Sequence, residues 1–264
     1  MAKHQNSFWR SFARPWDNIA KWLLPIIVIL VAGTIFLISQ YATNIILSLY
    51  AVIRGWNSTF ANAWLSNSVA GQFAFVLLFE AFNVTLIWAL LRRYGKTLAA
   101  IGLKRLRIKD GGIALIAYPL YLVIYLIVIG IATHFIRGLN LNQAQNIGFN
   151  SVHGATQLTL TFISLVILPP IAEELLFRGF IFEGLKKSMP VIYAGILTSV
   201  LFAVAHLPEG GSSGLFWVGA LDVFILSLVL VYLKQKTKTL WPGIILHAIK
   251  NAVAFFYLFV LTNR

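Results

Sequence analysis

The chain has no cysteine, which excludes disulfide staples, thiolate metal sites and cysteine nucleophiles together. The absence does not report on redox compartment, because a chain buried in lipid needs no disulfide to hold it. Charge is the next scarcity. Only 11% of the 264 residues are charged and only 8 are acidic, where a soluble domain carries roughly a quarter. Despite a formal net charge of +13 there is no continuous basic domain, so a nucleic-acid partner is not expected. The one GxSxG string, Gly210-Gly211-Ser212-Ser213-Gly214, lies in a glycine-rich connection between apolar runs rather than at a strand-to-helix elbow, and no HExxH is present. A covalent serine route is unsupported, and a zinc site would have to draw its histidines from separate helices.

What is abundant is apolar. Hydrophobic residues make up 59% of the chain and the mean hydropathy is +0.82, more than a water-soluble fold of this length can hide, so the excess must face lipid. Apolar runs of about 17–25 residues, the length of a membrane-crossing helix, lie near Trp22–Leu49, Val69–Leu91, Gly111–His134, Leu158–Phe182, Val191–Leu207, Leu215–Leu233 and Leu240–Leu261. The expected fold is all-α, a polytopic transmembrane helical bundle of about seven spans. Bases cluster in alternate connections: the N-terminal stretch, Arg92 to Lys109, Lys186 with Lys187, and Lys234 to Lys238. The connections between carry Arg54, Arg137 and the acidic Glu209. That alternation places the N-terminus in the cytoplasm and the C-terminus outside, with the chain in the cell membrane.

Before the first span, Phe8, Trp9, Phe12 and Trp16 alternate with Arg10 and Arg14, the pattern of an amphipathic segment lying in the interface. The apolar run that follows is too long for the core of a cleaved signal peptide. Three regions result: an interfacial segment over 1–21, N-terminal transmembrane helices over 22–154 and a C-terminal transmembrane core over 155–264. No internal repeat is evident, which counts against a transporter.

Ionisable side chains inside a span cost several kcal/mol and are functional candidates by default. Most here fall in the C-terminal half: Glu173, Glu174 and Arg178 after the pair Pro169-Pro170, then His206 at the end of Phe202-Ala203-Val204-Ala205-His206, then His247, Lys250 and Asn251. Residues four apart on a helix share a face, so Glu174 and Arg178 can pair while Glu173, rotated about 100° away, is left free. The two prolines suggest a helix restarting just before Glu173, with its positive end toward an ionised carboxylate. His247 and Asn251 must face the same way. Counted from the basic ends at 1.5 Å per residue, Glu173, His206, His247 and Asn251 lie roughly 20, 24, 14 and 20 Å deep, which permits a shared cavity. For Glu174–Arg178 the competing reading is a purely structural ion pair, and a lone interior histidine is usually a satisfied one. Glu80 and Asp222 are further intramembrane acids with no assigned task beyond helix–helix hydrogen bonding. His4, His134 and His153 are expected to be solvated.

Peptide hydrolysis needs a base to activate water and donors for the oxyanion. Glu173 with His206 can supply the first, His247 with Asn251 the second. Two histidines and a glutamate are also a known zinc set, so a zinc-dependent metalloprotease stays open. A non-catalytic immunity protein or membrane scaffold using the cavity to hold a peptide stays open as well.

Glu173-Glu174-x-x-x-Arg178, Phe202-x-x-x-His206 and His247-x-x-x-Asn251, in this order, resemble the three motifs of the CAAX protease and bacteriocin-processing (CPBP, or ABI) family, which includes the type II CAAX prenyl endopeptidases. The Ile101-Gly102-Leu103 stretch is similar to an upstream element of bacterial members. The resemblance implies an intramembrane endopeptidase acting on a peptide or protein substrate in or at the bilayer, with no cofactor. It implies Glu173 as the water-activating base aided by His206, His247 and Asn251 as the oxyanion site, and Glu174, Arg178 and Phe202 shaping a cavity that opens toward the cytosolic side.

Overall fold

The computed structural model describes residues 8, 9, 12, 22–136, 139–143 and 145–261. The helices are α1 (Leu23–Ile53), α2 (Ser58–Asn67), α3 (Val69–Arg93), α4 (Ile108–Phe135), α5 (Gly154–Leu185), α6 (Val191–His206), α7 (Trp217–Thr237) and α8 (Trp241–Phe255). With α6 extended to Gly211 and α8 to Leu261, all but α2 are long and apolar enough to cross a membrane, seven among the described residues. Among the described residues there is no strand.

The short α2 was not expected. The connection before α3 carries Arg54 as its one charge, but it has its own caps. The Asn57 side chain accepts the Phe60 N–H at 2.8 Å and Ser68 Oγ accepts the Gly71 N–H at 3.0 Å, satisfying donors that a helix start leaves open.

α5 is the axis of the bundle. It touches α1, α3, α6, α7 and α8, while α6 lies along α7, α1 along α3, and α8 along α4. Half of the most apolar stretch of α5 and 61% of that of α7 are buried, against 17–28% in the other spans. Outward-facing Leu30, Leu37, Ile116, Leu126, Ile127 and Ile192 are exposed apolar side chains of the kind lipid would cover. On the inner side Val28, Ile87 and Leu91 pack with Leu175, Phe180, Phe182 and Leu185.

The expected helix restart before Glu173 is not found. α5 runs through Pro169 and Pro170 because π turns at Ile163–Ile167 and Glu174–Ile181 widen its winding. A proline ring and its missing N–H are incompatible with tight i to i−4 closure, and a π turn just ahead of the pair accommodates both.

Of the N-terminal segment, the structure describes Phe8, Trp9 and Phe12. All three are buried, with ring centroids 6.5, 5.2 and 6.1 Å from Phe180, rather than lying on a lipid surface. Gly184 makes the room: a β-carbon there would meet the Trp9 ring at 2.6 Å. Arg10, Arg14, Trp16 and His4 lie outside the described residues.

The Ile101-Gly102-Leu103 stretch closes the basic end. Lys234 Nζ, buried, donates to the Ile101 carbonyl at 2.8 Å and lies 3.4 Å from Glu183. The Gly102 carbonyl accepts the Leu240 N–H at 2.9 Å and Thr239 Oγ1 at 3.2 Å, and Trp241 Nε1 donates to the Lys104 carbonyl at 2.5 Å. Gly102 sits at φ +113°, where a β-carbon would run into Lys234 Nζ, so glycine is required twice over.

Candidate active site

Pairing comes first. Arg178 Nη1 donates to Glu174 Oε1 at 2.6 Å, with both side chains at most 1% exposed. The two groups still meet although their segment is π-wound. The guanidinium also lies over the Phe202 ring, 4.3 Å from its centroid, so the ring face covers a cation whose Nε and Nη2 find no hydrogen-bond partner. Phe202 in turn meets the His206 ring at 4.5 Å and the His247 ring edge-on at 5.9 Å. Gly243 lets α8 approach this layer, since a β-carbon there would come within 2.9 Å of Glu174 Oε2.

His247 stands between the two glutamates. Its Nδ1 is 3.5 Å from Glu174 Oε1 and its Nε2 is 3.7 Å from Glu173 Oε2. His206 directs Nδ1 to the Phe202 carbonyl at 2.7 Å and Nε2 toward Glu209 at 3.9 Å. Asn251 Nδ2 donates to the Leu165 carbonyl at 3.0 Å. That carbonyl would normally close on the residues four or five further on, which are Pro169 and Pro170 and have no N–H to give. Asn251 therefore satisfies the backbone group that the proline pair strands, and its amide nitrogen carries a second N–H.

Glu173, His206, His247 and Asn251 all line one cavity of about 400 Å³, together with Pro169, Leu165, Glu209, Asp222, Lys250 and Tyr125 among others. Glu174, Arg178 and Phe202 are buried behind its floor. The seven residues singled out in the sequence thus fall into a group of four facing the cavity and a group of three supporting it.

Three further polar groups, Asp222, Lys250 and Glu209, line the cavity without having been assigned to it from the sequence. Asp222 pairs with Lys250 at 3.1 Å and accepts a hydrogen bond from Tyr121, joining α4, α7 and α8. The interhelical bonding expected of Asp222 is present. Lys250, one turn beyond His247, signalled it: an intramembrane cation requires a counter-charge. Glu209 follows His206 by three residues, a helical spacing that placed it in reach. Glu80 differs from expectation. It is buried, and Asn83 of its own helix donates to it at 3.4 Å. His134 and His153 are exposed.

Among the described residues no group of three or more His, Asp or Glu side chains is placed to hold a metal ion. His206 commits Nδ1 to the Phe202 carbonyl, and His247 Nδ1 lies 3.5 Å from Glu174 Oε1.

Residues 155–253 match the family model described as type II CAAX prenyl endopeptidase Rce1-like. No curated protein matches the chain. No solved structure matches it either.

Proposed function

From CPBP-family membership, which the match over residues 155–253 supports, we propose that this chain is an intramembrane endopeptidase in which Glu173 activates the attacking water. The observation that carries the reading is the meeting of Glu173, His206, His247 and Asn251 in one cavity, from three separate helices. Glu173 takes a proton from a water held between it and His206, and the hydroxide adds to the scissile carbonyl carbon. The oxygen of that carbonyl becomes an oxyanion facing His247 Nε2 and the second N–H of Asn251. Each such donor is worth about 3–4 kcal/mol in the transition state. Collapse breaks the C–N bond and Glu173 returns its proton to the leaving nitrogen, giving one new carboxylate and one new amine. Glu174 and Arg178 hold His247 and the floor in place, and Phe202 packs between them.

The substrate is a peptide or protein segment in or at the bilayer, which a polar cavity inside an apolar bundle suits. The test compares membranes containing the wild type with membranes containing Glu173→Ala at equal expression. New peptide termini present only with the wild type support the proposal, and identical termini in both remove it.

A further inference from the structure

We propose that the cavity opens on the face opposite the basic connections, so that the polypeptide cut there is an extracytoplasmic segment of a membrane-attached protein. This deepens the proteolytic reading and rests on it. It runs against the cytosolic opening that the sequence resemblance implies.

Every helix tells the same story. α5 enters from Gly154 and ends at Leu185 beside the basic Lys186 and Lys187, and it lines the cavity with Leu165, Pro169 and Glu173. α8 starts near Lys238, and its lining begins at His247 and continues through Lys250, Asn251, Ala254 and Leu258, all farther from that end. α7 contributes Val218, Gly219, Asp222 and Val223, from the end away from Lys234 and Lys236. α6 contributes His206, its last residue.

The rim is exposed Gln145 and Asn146 together with partly exposed Glu209, from the two connections poor in bases. Those connections are tied to each other. Gln145 Nε2 donates to Glu209 Oε2 at 2.6 Å, the Asn146 N–H to the Glu209 carbonyl at 2.6 Å, and Gln143 Nε2 to the Leu215 carbonyl at 3.0 Å. Exposed Ala254 and Leu258 continue the rim as an apolar side wall.

Toward the basic end the floor is shut. Glu174, Arg178, Leu175, Leu230 and Leu240 are each at most 1% exposed, and below them lies the layer in which Lys234 and Thr239 clasp Ile101 and Gly102. Because basic connections stay in the cytoplasm, the polar rim faces away from it. A chain can enter past Gln145 and Glu209 while the apolar segment that anchors it rests on Leu258.

The native absence of cysteine makes the test direct. Single thiols are introduced as Ala254→Cys in the cavity wall, Asn142→Cys in the rim connection and Lys109→Cys at the basic face. Each is exposed to a membrane-impermeant maleimide in intact cells and again after permeabilisation, which also reports that the variant is present and folded enough to react. The proposal expects the thiols at 142 and 254 to react in intact cells and the thiol at 109 only after permeabilisation. The reverse pattern overturns it, as does a thiol at 254 that reacts in neither condition. The proteolytic reading is scored separately, by the termini that depend on Glu173. Its failure leaves the labelling pattern untouched, whereas dependent termini on cytoplasmic segments sink the access side alone.

Discussion

Asn251 donates its side-chain amide to the carbonyl of Leu165 at 3.0 Å, the carbonyl that the proline pair leaves without a helical partner. One residue therefore carries a structural bond and a candidate catalytic donor on the same nitrogen, and the two can be separated.

Asn251→Ala leaves the partly buried Leu165 carbonyl without its donor, at up to about 1–3 kcal/mol, and removes an oxyanion donor, at about 10²–10³ in kcat. Adding Pro169→Ala supplies a backbone N–H four residues after Leu165. In thermal unfolding of the detergent-solubilised protein the double variant recovers most of the lost stability, while cleavage stays low. Recovery of cleavage together with stability would make Asn251 structural alone.

The Glu174–Arg178 pair is predicted to be costly to break and cheap to replace. Glu174→Leu or Arg178→Met alone leaves an uncompensated buried charge, about 3–5 kcal/mol. The combined variant unfolds at a higher temperature than either single one. It still cleaves poorly, because His247 has lost the carboxylate behind its Nδ1.

Gly102→Ala places a side chain at φ +113° against Lys234 Nζ, and the strain costs about 1–3 kcal/mol. Lys234→Met relieves the clash but leaves the Ile101 carbonyl without its donor and Glu183 with Lys186 alone. The double variant therefore recovers only the clash part of the Gly102→Ala loss and keeps the backbone strain. The melting temperatures of the two single variants and the double test this.

Stripping metal with strong chelators leaves cleavage by the purified protein unchanged, as expected if Glu173 acts on water directly. Loss of cleavage that added zinc restores would favour the metalloprotease alternative.

The spans were legible in the sequence because each is a long, predominantly apolar run with bases gathered at one of its ends. The ion pair was legible because Glu174 and Arg178 are local neighbours. The convergence of Glu173, His206 and His247 could be anticipated only as a permitted depth, since the fold had to turn three helices toward one another. The π winding of α5 was not legible. It follows from two prolines meeting tertiary partners that local spacing does not record, Asn251 foremost. Asp222, Tyr121 and Lys250 come from three helices far apart in sequence, and only packing reveals that they share a partner. The burial of Phe8 and Trp9 likewise depends on the space at Gly184, and an aromatic and basic alternation reads the same whether lipid or protein receives it.

The most direct measurement is steady-state cleavage of a peptide spanning a Glu173-dependent cut site by purified wild type and Glu173→Gln, matched for melting temperature. Glutamine keeps the shape and removes the base. A fall in kcat of about 10²–10⁴ with KM changed little is predicted, and a variant within a few-fold of wild type in kcat would contradict the account.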